Sequence, residues 1–260
     1  MDRSFLSRPP VIAASRNFVC VRLTTYEDAD EHSFMKKLFV GRSGEVENTT
    51  FALLGPDGRQ PLSRVGRSAR QLFADADTMA AEMNRVAARY ADKPAVGTTG
   101  ALPTVPTVRL ALNVAASDRL PLVILYATTP AGLEATERRV RPLAWSEQLI
   151  GRFTYATCTD AKELAPLGTA PAPGILVIEP DVFGQKGKVV VRVAPDATAD
   201  ALAKTLGTVA GQVAAGVRSF QSHVRDGRRA GVFWETKLPV TDPMEARARE
   251  RGRTAGPKPE

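Results

Sequence analysis

The sequence predicts an α/β protein of two similar units, each a mixed sheet flanked by helices. Three observations predict it. Phe51–Leu54, FALL, is a short apolar run that closes on the turn Gly55-Pro56-Asp57-Gly58. A relative recurs at Pro173–Asp181, PGILVIEPD, where four apolar residues and one more again lead to Pro-Asp. Later, Leu202, Leu206, Val209, Val213, Val217 and Phe220 are spaced 4, 3, 4, 4 and 3 apart, the period of an amphipathic helix.

The bulk properties allow this and exclude several alternatives. A chain of 260 residues has room for two domains, and 43% hydrophobic with 24% charged residues is enough apolar material for two cores. No apolar run approaches the ~18 to 20 residues of a membrane span. The first residues lack the apolar core of a signal peptide. The expectation is a soluble, cytoplasmic protein with no membrane partner, or an exported one if a signal lies upstream of Met1. The net charge of +7 is compatible with nucleic acid or another acidic partner, but arginines spread over solvated helix faces are the preferred account of it. Two cysteines, Cys20 and Cys158, are too few for a disulfide framework or a multi-cysteine metal site. His32 and His223 are far apart and show no metal-binding spacing. Neither a GxxxxGK[ST] nor a GxGxxG phosphate loop occurs. No cofactor is expected.

The first unit is read over residues 1–91. Residues 9–17 predict a short helix with proline in its first turn, where a missing N–H costs nothing. Phe18–Leu23, FVCVRL, is apolar and β-branched and predicts a buried strand. Tyr26–Phe39 predicts a helix with acidic residues first and Lys36 and Lys37 last, which suits the helix dipole. Phe34 and Leu38 would form its apolar face, with His32 on the surface. The strand at 50–54 then turns at PDG and returns over 60–65 as a hairpin. Ser68 would cap one long helix to Tyr90 with Leu72, Ala76, Met79, Met83 and Val86 on its inner stripe, the methionines filling core.

Residues 92–107, rich in proline and glycine, are read as a linker. The second unit, 108–240, opens with a possible strand at 109–115. Leu120–Ala127, LPLVILYA, is the most apolar run and predicts a central buried strand. A helix follows near Ala131, kinked or broken at Pro142. Phe153–Cys158 predicts the next strand, residues 160–167 a short helix, 175–178 a strand and 188–193 its hairpin partner. The long helix from Thr198 turns basic at Arg218, Arg225, Arg228 and Arg229. Residues 231–240 would form an edge strand or an ordered arm, with Phe233 and Trp234 needing cover. The last stretch, 241–260, is polar and basic and is expected to fray.

The order of elements in the second unit resembles the thioredoxin fold. In that family a buried strand feeds a Cys-x-x-Cys at the start of a helix, and a proline, usually cis, faces this motif from the start of a later strand. Val123–Ala127 holds the place of the first of these strands and Pro173 the place of that proline. The motif position falls on Ala127–Gly132, ATTPAG, which has no cysteine. The first unit looks like the same family with its beginning removed. Met1–Leu23 is similar to the stretch that follows Cys-x-x-Cys, and FALL with its PDG turn matches a later family pattern. Thr49 stands in the proline slot and Thr50 in the threonine slot. The resemblance implies that a central strand and a Cys-x-x-Cys, or its selenocysteine variant, belong upstream of Met1.

The functional expectations follow from that resemblance. The chain as it stands is a redox-silent binding or structural module, taking a protein partner beside Pro173 and Thr49. One alternative is a thiol-disulfide oxidoreductase, with the motif upstream. Another is a basic nucleic-acid binder using Arg218–Arg229 and the tail. Cys20 and Cys158 are the candidate thiols, each more readily read as a small buried apolar side chain.

Overall fold

A computed structural model describes residues 5–47, 49–91, 100–168, 171–212, 220–243, 247 and 250. The chain divides into two compact units: Met1–Val96 with Phe233–Glu260, and Gly97–Val232.

The second unit is an α/β layer structure. Its elements run β1 (Thr104–Val105), α5 (Val108–Asp118), β2 (Leu122–Tyr126), α6 (Pro130–Ala144), β3 (Thr154–Cys158), a 3-10 helix (Ala161–Leu167), β4 (Gly174–Pro180), β5 (Gly187–Val193), α7 (Ala199–Gln212) and α8 (Phe220–Arg229). Helices α1 to α4 precede them in the first unit. The five strands form one sheet in the order β1-β3-β2-β4-β5. β3 lies parallel to both β1 and β2, whereas β4 is antiparallel to β2 and to β5.

β2 is central because every residue of LVILY is buried, so both of its faces need cover. Alternate side chains supply two cores. Val123 and Leu125, with Ile175 and Val177 of β4, pack with Val140 of α6 and with Leu202 and Leu206 of α7. Leu122, Ile124 and Tyr126, with Leu176 and Ile178, pack instead with Ala111, Leu112 and Ala115 of α5 and Leu164 of the 3-10 helix. Full burial of each large aliphatic side chain contributes about 1.5–3 kcal/mol. A one-residue slip in register would exchange the two cores, and their different helix partners oppose it.

Two expectations change here. Residues 109–115 are helical, not a strand. Val108, Ala111, Leu112 and Ala115 are buried at helical spacing, and the Thr107 hydroxyl accepts the Leu110 N–H at 3.2 Å as N-cap. RLALNVA alternates as well as it spirals, so the cap and the length decide. The stretch read as a linker is also structured where it is described. Leu102 is buried in the α6–α7 core, and Thr104 and Val105 pair with Tyr155 and Ala156. Helix α6 carries Pro142 in its last turn and runs on to Ala144. The predicted helix positions Val213 and Val217 lie outside the described residues.

The first unit packs α1 (Pro9–Ser15) and α4 (Ala76–Ala88) around Phe5, Val11, Ala14, Leu53, Met79, Met83 and Val86. Helix α2 (Ala29–Leu38) starts later than expected. The Asp28 carboxylate accepts the Asp30 and Glu31 N–H groups, both at 2.9 Å, and Met35 is its buried residue. The long helix expected after Ser68 is two. A short α3 (Ala69–Leu72) is separated from α4 by Asp75, whose carboxylate accepts the Thr78 N–H at 2.7 Å. An internal cap of this kind competes with continuous helix.

The FALL hairpin is present as a loose one. Phe51 and Gly66 exchange hydrogen bonds at 2.7 and 3.2 Å, and Leu62 N–H reaches Leu53 O at 2.8 Å. The Asp57 carboxylate accepts the Arg59 and Gln60 N–H groups across the turn, and these bonds hold its pKa below the usual value. The buried strand expected at Phe18–Leu23 is absent. The segment is irregular, with Val19 and Val21 at 73% and 74% exposure. A strand needs a neighbour to bond, and among the described residues of this unit there are two isolated bridges and no ladder. Asp242, expected in a fraying tail, is fully buried.

Candidate functional site

The segment Ala127–Gly132 leaves the end of β2 and enters α6. Its backbone is tied on one side to β3, with the Ala127 N–H donating to Cys158 O at 3.1 Å. Thr129 is the N-cap of α6. Its backbone is extended and its hydroxyl accepts the Gly132 N–H at 3.2 Å. Pro130 follows at the first helical position, where it has no N–H to lose. Thr128, Thr129 and Pro130 are exposed, so the segment presents a hydroxyl-rich surface with no thiol.

On the other side stands the start of β4. Gly174 is the register partner of Tyr126, which brings Pro173 alongside the residues that follow β2. Gly174 has φ +152, and a Cβ there would lie 2.6 Å from Val193 O, so only glycine fits between β2 and β5. The Arg192 guanidinium holds the approach in place. It donates to Ala172 O at 3.1 Å and to Pro173 O at 2.7 Å. Pro173 is half-buried. Its peptide bond with Ala172 is trans, which departs from the cis proline that the resemblance implied.

Neither thiol enters this surface. Cys158 ends β3 opposite Tyr126, but its side chain lies in the α5 core and its Sγ–H donates to Asp160 O at 3.0 Å. Burial, with the Glu163 carboxylate adding to it, pushes this thiol up to about 11. Cys20 was expected inside a strand and is instead exposed. Its thiol is also raised, chiefly because the sulfur itself is partly covered, with a hydrogen bond to Ser15 working the other way. A nucleophilic cysteine needs the opposite, a lowered pKa at an electropositive site.

Thr49 is exposed in the first unit, beside Thr50, whose buried Oγ1 has no hydrogen-bond partner among the described residues. Thr49 and Pro173 belong to different units, and each surface stands by itself. The histidines have local roles. His32 is half-buried, with Nδ1 3.2 Å from Thr25 O and its ring against Tyr26. His223 packs on the Phe183 ring at 5.2 Å between centroids. Among the described residues no three His, Cys, Asp or Glu side chains gather as a metal site, and no helix is long and apolar enough to cross a membrane. Two open hollows, of about 490 and 400 Å³, lie at the β4–β5 turn and beside Leu62, Phe73 and Glu82, and contain none of the predicted site residues.

Residues that sequence reasoning missed lie in the first unit. Trp234 donates its indole N–H to Glu27 at 2.7 Å, and Arg67 pairs with Asp242 at 2.9 Å. Partners so distant in sequence leave no local pattern by which to find them.

No protein-family model, curated protein or solved structure matches this chain.

Proposed function

We propose that the second unit is a thioredoxin-like module without redox chemistry, which binds an extended segment of a protein partner across Ala127–Gly132 and Pro173. The observation that carries this reading is the sheet itself. The order β1-β3-β2-β4-β5, with β4 alone running against the other four strands, sets a helix N-terminus and a proline side by side at the end of the central strand. At the place where the family's attacking thiol would sit, Thr129 caps the helix. Among the described residues no base is hydrogen-bonded to its hydroxyl, which accepts the Gly132 N–H and serves as a hydrogen-bonding group and not a nucleophile. Extended segments dock on such surfaces through their backbone, with neighbouring side chains setting preference. For the first unit the reading rests only on the FALL hairpin and its PDG turn.

The test has two parts. With dithiothreitol as reductant, the protein should not accelerate insulin reduction above the uncatalysed rate. Titration with a reduced, carboxymethylated and unfolded protein should shift the backbone amide resonances of Thr128, Thr129, Ala131, Gly132 and Gly174 and leave those of α8 in place. Insulin turnover that disappears in a Cys20→Ser or Cys158→Ser variant would overturn the redox-silent reading. Saturating unfolded protein without shifts at these amides would overturn the binding surface.

A further inference from the structure

The search for an unassigned device leads to the segment that returns to the first unit after α8. From Phe233 to Val240, exposed and half-buried residues alternate without a break. Phe233, Glu235, Lys237 and Pro239 face water, and Trp234, Thr236, Leu238 and Val240 face inward. This is the period of an extended strand lying on a surface, yet the segment forms no ladder. It is held at discrete points. Trp234 Nε1–H donates to the Glu27 carboxylate at 2.7 Å. Leu238 N–H donates to Tyr26 O at 2.9 Å. The Thr241 hydroxyl donates to Val46 O at 2.8 Å, and Asp242 N–H donates to the Tyr26 hydroxyl at 3.1 Å. Tyr26 thus grips the segment with its carbonyl and its phenol, and the phenol in turn donates to Val46 O at 3.0 Å.

The end of the segment is built differently from the rest. Asp242 has no exposed surface, and its carboxylate lies 2.9 Å from an Arg67 nitrogen. Arg67 is 32% exposed and reaches Glu47 as well, at 3.2 Å. A buried carboxylate needs its counter-ion, because an unpaired buried charge is strongly unfavourable. The remaining contacts are half-buried, and a one-sided segment with few backbone bonds belongs to the parts of a fold that open first. The chain reaches it from the C-terminal cap of α8, where Gly231 has φ +65 and donates to Arg228 O at 3.1 Å.

We propose that Trp234–Asp242 is a detachable strap, latched on the first unit by Asp242 on Arg67, and that it fills a groove between Tyr26, Val46 and Arg67 made for an extended segment ending in Thr-Asp. The occupant is this chain's own arm. The groove supplies a carbonyl and a phenol for the backbone, a carbonyl for the threonine hydroxyl and a guanidinium for the carboxylate. This inference concerns a surface separate from the β2–β4 site and does not rest on the reading given above.

The experiment uses the full chain. Amide hydrogen exchange is followed in wild type and in Asp242→Asn, which keeps the side chain's shape and removes its charge. A fluorescent peptide of residues 232–243 is then titrated into both. In the variant the Leu238 amide should exchange at least tenfold faster while α4 and β2 amides keep their rates. The variant should also bind the peptide at least tenfold more tightly than wild type, whose groove is filled. Trp234→Phe, which removes the indole N–H that Glu27 accepts and part of the ring while keeping an aromatic side chain, serves if Asp242→Asn does not fold, with the same two shifts expected at several-fold size. Exchange that rises equally at Leu238 and throughout α4 would make the segment an integral part of the unit and overturn the strap. Faster exchange at Leu238 without peptide binding would overturn the groove.

Discussion

Replacing Tyr155 by phenylalanine should stabilise the second unit, although most core substitutions destabilise. Tyr155 lies on β3 with 2% of its surface exposed, among Leu102, Val123, Phe153 and the α6 and α7 side chains. Its ring sits 6.2 Å from the Phe153 ring, and phenylalanine keeps that contact. Among the described residues its hydroxyl has no hydrogen-bond partner. In the unfolded chain water satisfies the hydroxyl, so its unbonded burial costs about 1–3 kcal/mol on folding. Deleting one oxygen opens a void of roughly 10 Å³, which costs only about 0.2 kcal/mol. The expected gain is therefore about 1–2.5 kcal/mol, or some 3–10 °C in Tm for a unit of this size. The chain has two tryptophans, Trp145 in the second unit and Trp234 in the first. A Trp234→Phe background lets Trp145 fluorescence report urea unfolding of the second unit alone. The midpoint should rise with an unchanged slope. Burial also holds the Tyr155 phenol protonated well above its ordinary range. Above pH ~10 the unfolded chain releases that proton while the folded one keeps it, so wild-type stability falls with rising pH. The phenylalanine variant should lose that part of the decline. A lower midpoint in Tyr155→Phe at neutral pH would refute the reasoning, because it would mean the hydroxyl is bonded.

Other outcomes follow from the same structure. Thr129→Ala removes the side-chain acceptor of the Gly132 N–H and should cost about 1 kcal/mol by urea melts, with Thr129→Asp restoring it. Gly184→Ala places a Cβ 2.5 Å from Asn113 Cα at φ +64; strain of about 1–3 kcal/mol plus the clash should lower the Tm of the second unit. Alkylation with a maleimide should label Cys20 and spare Cys158 in the native protein, while both react in guanidinium. Because the Cys20 thiol is raised, its rate near pH 8 should fall below that of free cysteine, and a faster reaction would contradict the assignment.

Much of the second unit could be read from the chain because its signals are local and strong. LVILY has no polar residue to place toward water, so it had to be central. Leu202, Leu206 and Val209 keep helical spacing and occupy the core. Helix α5 was misread because RLALNVA satisfies two periods at once, and the Thr107 cap settles the choice only when its partner N–H is seen. The proposed binding surface was legible in part. The motif position and Pro173 could be placed, but not the trans peptide bond or the grip of Arg192 on the residues before β4.

The first unit marks where the sequence stops deciding. FVCVRL has a strand's composition, but pairing is a property of neighbours, and none of the described residues forms a ladder with it. Burial of Cys158 and exposure of Cys20 likewise depend on what lies against them, since both sit in β-branched or aromatic runs that look alike along the chain. The return of the chain through Trp234, Leu238 and Asp242 joins residues whose partners Glu27, Tyr26 and Arg67 are set far back in the sequence. Hydrophobic period and capping residues act over a few positions and by themselves determined α1, α6, α7, the central strand and the PDG turn. Ion pairs, strand neighbours and burial act through space, so only the tertiary structure decided which carboxylate is buried, which thiol is reachable and which segment closes over the first unit.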